Sequence, residues 1–283
     1  MALPPDTAVT KAPLNRQNLM KLSTLILLLL NAVHALANDG WVGYSGAPRI
    51  EGKHPTVRMV DEVIHIKIGR THMTADCRFT FKNEGNATSV RIGFPDHDSD
   101  NYLDPKKGIQ SIYNSFKSYV DGKPIKTKLI DASEDFGWQV KSVQFGKGQV
   151  RRVRNVYVLE LNNLSLGGKW RSNQSPRGQG ARYIVSTGRS WKGNIGSTKV
   201  IVDFEKSSLV KSPLRVQKLL DDELASDASR WDKNRGLVMW SGFASPKVQG
   251  RRLIFERKNW EPGESDDLFL KFGIYPRPKS WDK

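Results

Sequence analysis

The sequence is poor in the residues that build disulfide frameworks and metal-dependent catalytic sites. It contains one cysteine, Cys77, and five histidines among 283 residues. A single cysteine cannot form an internal disulfide, and its place on an apolar face with Phe79 and Phe81 predicts a buried, inert thiol. The patterns HExxH and G-x-S-x-G and a paired Cys/His framework are all missing. The sequence therefore lacks the signatures of a zinc protease, a serine hydrolase and a zinc-binding module.

Long apolar runs are also scarce. One run, Leu22–Leu30, follows Lys21 and is too short to cross a bilayer. The small residues of Ala35-Leu36-Ala37 then form a signal-peptidase pattern. We therefore predict a secretory signal peptide over residues 1–37, with Met20 as the true start. No second run reaches about 18 residues, so the mature chain is predicted to have no transmembrane span and to be periplasmic or extracellular.

Acidic residues are outnumbered by basic ones, which gives a formal net charge of +16 and a pI near 9.9. Basic side chains are concentrated on one predicted hairpin and in the segment after it: Arg151, Arg152, Arg154, Lys169 and Arg171. Such a cluster attracts polyanions, which outside the cytoplasm include anionic polysaccharides and the envelope surface. Charge that serves solubility alone is the alternative. Specific nucleic-acid recognition is not expected, because exposed aromatic residues are not interleaved with the basic ones.

One acidic segment stands out in this basic chain. Its carboxylates recur at alternate positions, as in the first half of a calcium loop: Asp96, Asp98, Asp100 and Asp104. Asn101 replaces the glycine of that loop, and Lys107 stands where its bidentate glutamate belongs. The segment predicts either a calcium site or a solvated acidic turn, and calcium is the only cofactor that the sequence suggests.

Two further sites are suggested by aromatic and histidine residues. Trp191 lies in the glycine-rich segment GRSWKGNIG and could stack on a sugar ring, or it could close the end of a β-sandwich. His65 and His72 lie on or beside neighbouring predicted strands, which allows a two-histidine metal site or a polar pair on a wet face.

Strict alternation of apolar and polar residues predicts the fold. Ile64, Ile66 and Ile68 share one face of a strand, and the segments 73–81 and 90–94 alternate in the same way. Asp121-Gly122 predicts a hairpin turn. The class predicted is mainly β, with two antiparallel β-sandwich-like domains.

The domain boundary is placed where apolar residues become sparse, at 167–180. We predict an N-terminal arm over 38–55, a first sandwich over 56–166 and a second over 181–283. One short helix is predicted over 213–224, because Ser212-Pro213 resembles a helix start and the apolar residues after it recur at helical spacing.

Several motifs together resemble a family of exported bacterial β-rich proteins of unknown function. They are VRMVDEVIHIKI, CRFTFKNEG and VRIGFP near the start, YIVSTGRSWKGNIG in the middle and NWEPGESDDLFLKFG near the end. The resemblance implies a β-sandwich fold and supplies no catalytic residues. We therefore expect an exported, non-enzymatic structural or binding protein. The alternative is a secreted hydrolase of polysaccharide, whose paired carboxylates would leave no sequence motif.

Overall fold

The computed structural model describes residues 54–96, 111–133, 136–165, 177–219 and 237–275. These residues form sixteen β-strands and two short 3₁₀ turns. The strands are β1 Val57–Ile68, β2 His72–Asn83, β3 Thr88–Pro95, β4 Ser115–Val120, β5 Lys123–Ile125, β6 Lys128–Ser133, β7 Phe136–Phe145, β8 Val150–Glu160, β9 Asn162–Ser165, β10 Arg177–Tyr183, β11 Ile195–Asp203, β12 Arg215–Lys218, β13 Leu237–Ser241, β14 Lys247–Gln249, β15 Arg252–Trp260 and β16 Leu268–Tyr275. The 3₁₀ turns are Ser186–Ser190 and Glu264–Asp266.

The strands belong to three sheets. An eight-stranded sheet has the order β14-β15-β11-β1-β2-β8-β4-β5, a five-stranded sheet has the order β12-β13-β16-β10-β9, and a three-stranded sheet has the order β3-β7-β6. Most neighbouring strands are antiparallel, but β1 runs parallel to β11 and β12 parallel to β13. The predicted mainly β class is therefore confirmed.

The core lies between the eight-stranded sheet and the two smaller sheets. Trp240 of β13 meets Phe255 of β15 with ring centroids 5.9 Å apart. Phe94 of β3 meets Tyr157 of β8 at 5.5 Å. Both smaller sheets thus cover the same face of the large one, whose opposite face is the wet side of a sandwich.

The large sheet joins strands from both sides of the predicted boundary at 167–180. Residues 61–67 of β1 pair with residues 197–203 of β11. At the start of this pairing β1 has a bulge between Met59 and Asp61, and Gly196 lies against the backbone of Val60. The division into domains 56–166 and 181–283 stays a prediction, and this shared sheet argues against it.

The predicted helix over 213–224 is wrong at the residues that the structure describes. Arg215–Lys218 is a strand instead, paired with Leu237–Trp240, and the backbone N–H of Leu219 donates to the Trp240 carbonyl at 2.7 Å. Pairing with β13 satisfies backbone groups that a helix would satisfy internally, so tertiary contact overrides the local pattern. Residues 220–224 lie outside the described residues. In the described ranges we find no helix with the length and apolarity that a membrane crossing requires.

Candidate functional site

The outer face of the eight-stranded sheet presents a basic surface where β2, β8 and β4 lie side by side. Because side chains alternate along each strand, five cations share this face: Arg78, Lys82, Lys117, Arg152 and Arg154. We call these five residues the basic face. The ring of Tyr119 lies among them, with the Arg154 guanidinium carbon 5.7 Å from its centroid.

One carboxylate organises the centre of the basic face. Arg78 and Arg154 lie directly opposite each other on β2 and β8. Both guanidinium groups donate two hydrogen bonds to Asp76, at 2.9 to 3.2 Å from Arg78 and 2.8 to 2.9 Å from Arg154. Partial burial favours the neutral carboxyl group, but these bonds and the two positive charges outweigh it and lower the pKa of Asp76 to about 2. Asp76 therefore holds both arginines in place while one positive charge remains uncompensated.

The structure places the predicted basic residues unequally. Arg152 and Arg154 lie on the basic face. Arg151 instead pairs with Asp121 at 2.6 Å and donates to the Gln144 carbonyl at 2.9 Å. Lys169 and Arg171 lie outside the described residues. Within the described ranges Lys82, Lys117 and Arg152 take part in no side-chain ion pair.

Asp96 is buried and occupied by hydrogen bonds. Ser111 donates to both of its oxygens at 2.8 Å, the Ile112 N–H donates to Oδ1 at 3.0 Å, and Gln139 donates to Oδ2. Burial raises its pKa to about 6, although these bonds oppose the rise. Asp96 thus anchors Ser111–Ile112 beside the end of β3. Asp98, Asp100 and Asp104 lie outside the described residues, so the calcium site stays a prediction.

The sugar-stacking prediction for Trp191 is corrected by burial. Its side chain is 0% exposed, and its ring centroid lies 4.4 Å from that of Phe81. No face of the indole is open to a sugar, whereas the alternative of a core plug agrees with this packing.

The two histidines do not meet. His65 lies opposite Asp76 in the sheet and approaches Asp203 at 3.5 Å, whereas His72 contacts Thr71 and lies 3.7 Å from Glu160. The described residues contain no group of three or more histidine, cysteine or acidic side chains that could hold a metal ion.

A polar seam, absent from the sequence predictions, lies inside the core. Glu62 points inward beside Ile64 and accepts a hydrogen bond from the Thr198 hydroxyl at 2.8 Å. The Thr198 hydroxyl in turn accepts a hydrogen bond from the Trp260 indole N–H at 2.9 Å. Burial raises the pKa of Glu62 to about 7, and the nearby Asp61 carboxylate adds to the rise. Its second oxygen, Oε2, has no hydrogen-bond partner among the described residues.

Buried tyrosines, Tyr157 and Tyr183, surround Cys77 in the same part of the core. Burial raises the pKa of the Cys77 thiol well above its ordinary value, and the nearby hydroxyl groups of Tyr157 and Tyr183 oppose that rise only in part. Tyr113 lies with its ring centroid 4.6 Å from that of Tyr157. The thiol is thus buried and protonated, as the sequence predicted for Cys77.

A second buried cluster lies next to Cys77 on the large sheet. Asn155 is the cross-strand neighbour of Cys77 on one side and of Ser118 on the other. Its Oδ1 accepts from the Ser118 hydroxyl at 2.8 Å and from Lys141 Nζ at 3.1 Å. Lys141 is 3% exposed, and burial lowers the pKa of its amine to about 7. The sequence patterns described above did not predict this cluster.

Strand parity was the signal that could have revealed these inward polar groups. Lys141 is in phase with Val143 and Phe145, Glu62 with Ile64, and Asn155 with Tyr157. A polar residue in phase with apolar ones on an alternating strand points to the core.

Comparisons with known proteins support the fold. The chain is similar to a solved structure described as a "putative nutrient binding protein" from Legionella pneumophila, with a TM-score of 0.60 at 19% identity over 84% of this chain and 73% of that one. It also matches an M1 zinc metallopeptidase from Deinococcus radiodurans with a TM-score of 0.31 at 9% identity, over 78% of this chain and 43% of that one. No protein-family model matches the chain, and no curated protein does. The first match identifies a bacterial β-rich fold, and the second is too distant to support an argument.

Proposed function

We propose that the chain is an exported, non-enzymatic binding protein that binds anionic polymers, such as acidic polysaccharide, through its basic face. The observation behind this proposal is that five cations share one face of three adjacent strands, and that Asp76 holds two of them, Arg78 and Arg154, in place. Export rests on the predicted signal peptide over residues 1–37. The Legionella protein of similar fold is described as binding a nutrient, which is compatible with a binding role.

The electrostatics of a flat sheet favour a long, multivalent ligand over a small one. Strands lie about 4.8 Å apart and alternate outward residues about 6.8 Å apart, so the basic face offers cations at the spacing of charges on a polymer. Exposed cations each contribute about 1 kcal/mol to the attraction of an anionic surface at moderate ionic strength. Several such contacts add up, although no single one binds tightly.

Neutralising two unpaired cations of the basic face is expected to weaken heparin binding. In an Arg152→Gln, Lys117→Gln double variant, affinity should fall roughly thirtyfold at low salt, and the dependence of affinity on salt should become shallower. Both side chains are exposed, and neither takes part in holding Asp76, so the fold should be unaffected. Titration calorimetry at two salt concentrations measures both quantities.

The matched control removes the same charge elsewhere. Lys206 and Lys211 are exposed in the segment after β11, and a Lys206→Gln, Lys211→Gln variant should retain wild-type affinity. Equal losses in both double variants would show that net charge, not the basic face, attracts the polymer. Heparin binding that does not weaken with salt would contradict the electrostatic proposal.

The polysaccharide hydrolase remains an alternative without a supporting observation. The two carboxyl groups whose pKa burial raises most clearly, Glu62 and Asp96, are both 0% exposed.

A further inference from the structure

We propose that Lys141 and Asn155 form an intramolecular amide (isopeptide) bond that joins the three-stranded sheet to the eight-stranded sheet. Lys141 lies on β7 of the smaller sheet and Asn155 on β8 of the larger one. Their side chains are 3% and 0% exposed and already meet at 3.1 Å between Nζ and Oδ1. A lysine amine and an asparagine side-chain amide held together in a buried position are the two reactants of such a bond.

The surroundings of the pair fit the reaction in three respects. Burial, with no carboxylate partner among the residues that the structure describes, favours the neutral amine, which is the nucleophilic form. The Ser118 hydroxyl donates to Oδ1 at 2.8 Å, the oxygen on which negative charge develops during attack. The leaving group, Nδ2, has no hydrogen-bond partner among the described residues, so its departure breaks no contact there.

The reaction balances without an oxidant or cofactor. The Nζ lone pair attacks Cγ of Asn155, and the carbonyl electron pair moves to Oδ1, where Ser118 stabilises it. When the carbonyl re-forms, the bond from Cγ to Nδ2 breaks, and Nδ2 leaves as ammonia with a proton that Nζ gives up. The products are one secondary amide and one molecule of ammonia.

Such a bond would serve where a disulfide cannot form. Cys77 is the single cysteine of the chain, so a covalent tie between the sheets requires other chemistry. Among the described residues Lys141 has no ion-pair partner that would explain the burial of an amine, and desolvation is the sole cause of its lowered pKa. A buried, unpaired lysine is otherwise unfavourable.

Mass spectrometry of the purified wild-type chain tests the proposal. The intact mass should be lower than the sequence mass of the same species by one ammonia. A tryptic digest should contain one branched peptide, in which cleavage after Lys141 is blocked and the peptide beginning at Asn155 is attached. An unmodified intact mass, or an ammonia loss without the branched peptide, would overturn the proposal, because asparagine can lose ammonia by cyclising on its own backbone.

Variants separate the reactants from the stabilising hydroxyl. Lys141→Met and Asn155→Leu should each show the unmodified mass. Ser118→Ala should retain both reactants yet form the bond at least tenfold more slowly, so that freshly folded protein is mostly unlinked. If any of these variants fails to fold, the wild-type branched peptide alone still decides the question. A Ser118→Ala chain that is fully linked at the earliest time point would contradict the role of Ser118.

Discussion

A Gly196→Ala variant is expected to lose at least about 3 kcal/mol of unfolding free energy, because the added methyl group meets rigid backbone. A Cβ at this position would lie 2.2 Å from the Val60 carbonyl oxygen and 3.2 Å from its carbonyl carbon. Neither atom belongs to a side chain that could rotate away. Relief requires β1 and β11 to separate at the start of their parallel pairing. Urea denaturation followed by circular dichroism measures the loss.

Gly263→Ala is the matched control for this substitution. Its Cβ would meet Asp266 Oδ2 at 3.5 Å, which is ordinary contact, and its φ of −97° suits any residue. We expect a change within about 1 kcal/mol. If Gly196→Ala fails to fold and Gly263→Ala folds, the loss of unfolding free energy at Gly196 is even larger than expected, and the prediction is supported. Equal denaturation midpoints would mean that β1 and β11 do not pair as closely as described.

Gly196 lies where β1 pairs with β11, and pairing between strands that are distant in sequence is the part of the fold that the sequence did not predict. Alternation along one strand predicts that strand: β2 and β3 were predicted within two residues at each end, and β1 was predicted at its end, Ile68. The hairpin at Asp121-Gly122 was also predicted, and both residues adopt the positive φ that its turn requires, 49° and 79°. Alternation contains no information on which distant strand becomes a neighbour.

Contacts between residues that are distant in sequence determine the features of the fold that were not predicted. Glu62 meets Thr198 across 136 positions of sequence, so no local pattern indicates that the carboxyl group has a partner. β3 follows β2 closely in sequence yet belongs to a different sheet. The helix prediction failed for the same reason, because β13 was the partner of Arg215–Lys218.

The candidate site residues also differ in whether a local pattern or a long-range strand pairing determines their place. Arg152 and Arg154 were predicted from their local density, and their outward direction follows from parity with Val153. Arg78 and Asp76 joined them only through the pairing of β2 with β8. Lys141 is near these cations in sequence, but its parity places it in the core. A high local density of basic residues in the sequence therefore predicts a charged region. The face to which each side chain points, and the pairing of the strands, decide which of those charges lie together.

The proposed amide bond would change the energetic role of that buried lysine. It would close a chain segment from Lys141 to Asn155, and closing a loop of this length restricts the unfolded state by about 3 kcal/mol. It would also remove a titratable amine from the core, so that no charge has to be neutralised on folding. A buried pair that looks unfavourable as separate side chains would become a stabilising tie.

The second large effect concerns the pH dependence of stability. In the folded chain the Glu62 pKa is about 7, against 4.5 for the ordinary group. Between these values the unfolded chain has released the proton and the folded chain still binds it, so wild-type stability falls as pH rises. Glu62→Gln occupies a similar volume, stays neutral and can keep the bond from Thr198. We therefore expect the variant to exceed the wild type by roughly 3 kcal/mol above pH 7 and to match it below pH 4.5.

Urea denaturation of both proteins between pH 4 and pH 8 measures this difference. Asp96 and Lys141 are present in both chains, so their contributions cancel in the comparison. Glu205→Gln is the control, because the Glu205 side chain is exposed and takes part in no ion pair among the described residues, so its loss should leave the wild-type profile unchanged. A difference between Glu62→Gln and wild type that is constant with pH would place Glu62 in water. A shift of one residue in the register of β1 turns every side chain of the strand to the opposite face. If Glu62 faced water, Ile64 and Ile66 would therefore also face water, and His65 and Lys67 would point into the core. The pH profile of this one carboxyl group therefore tests the register of β1.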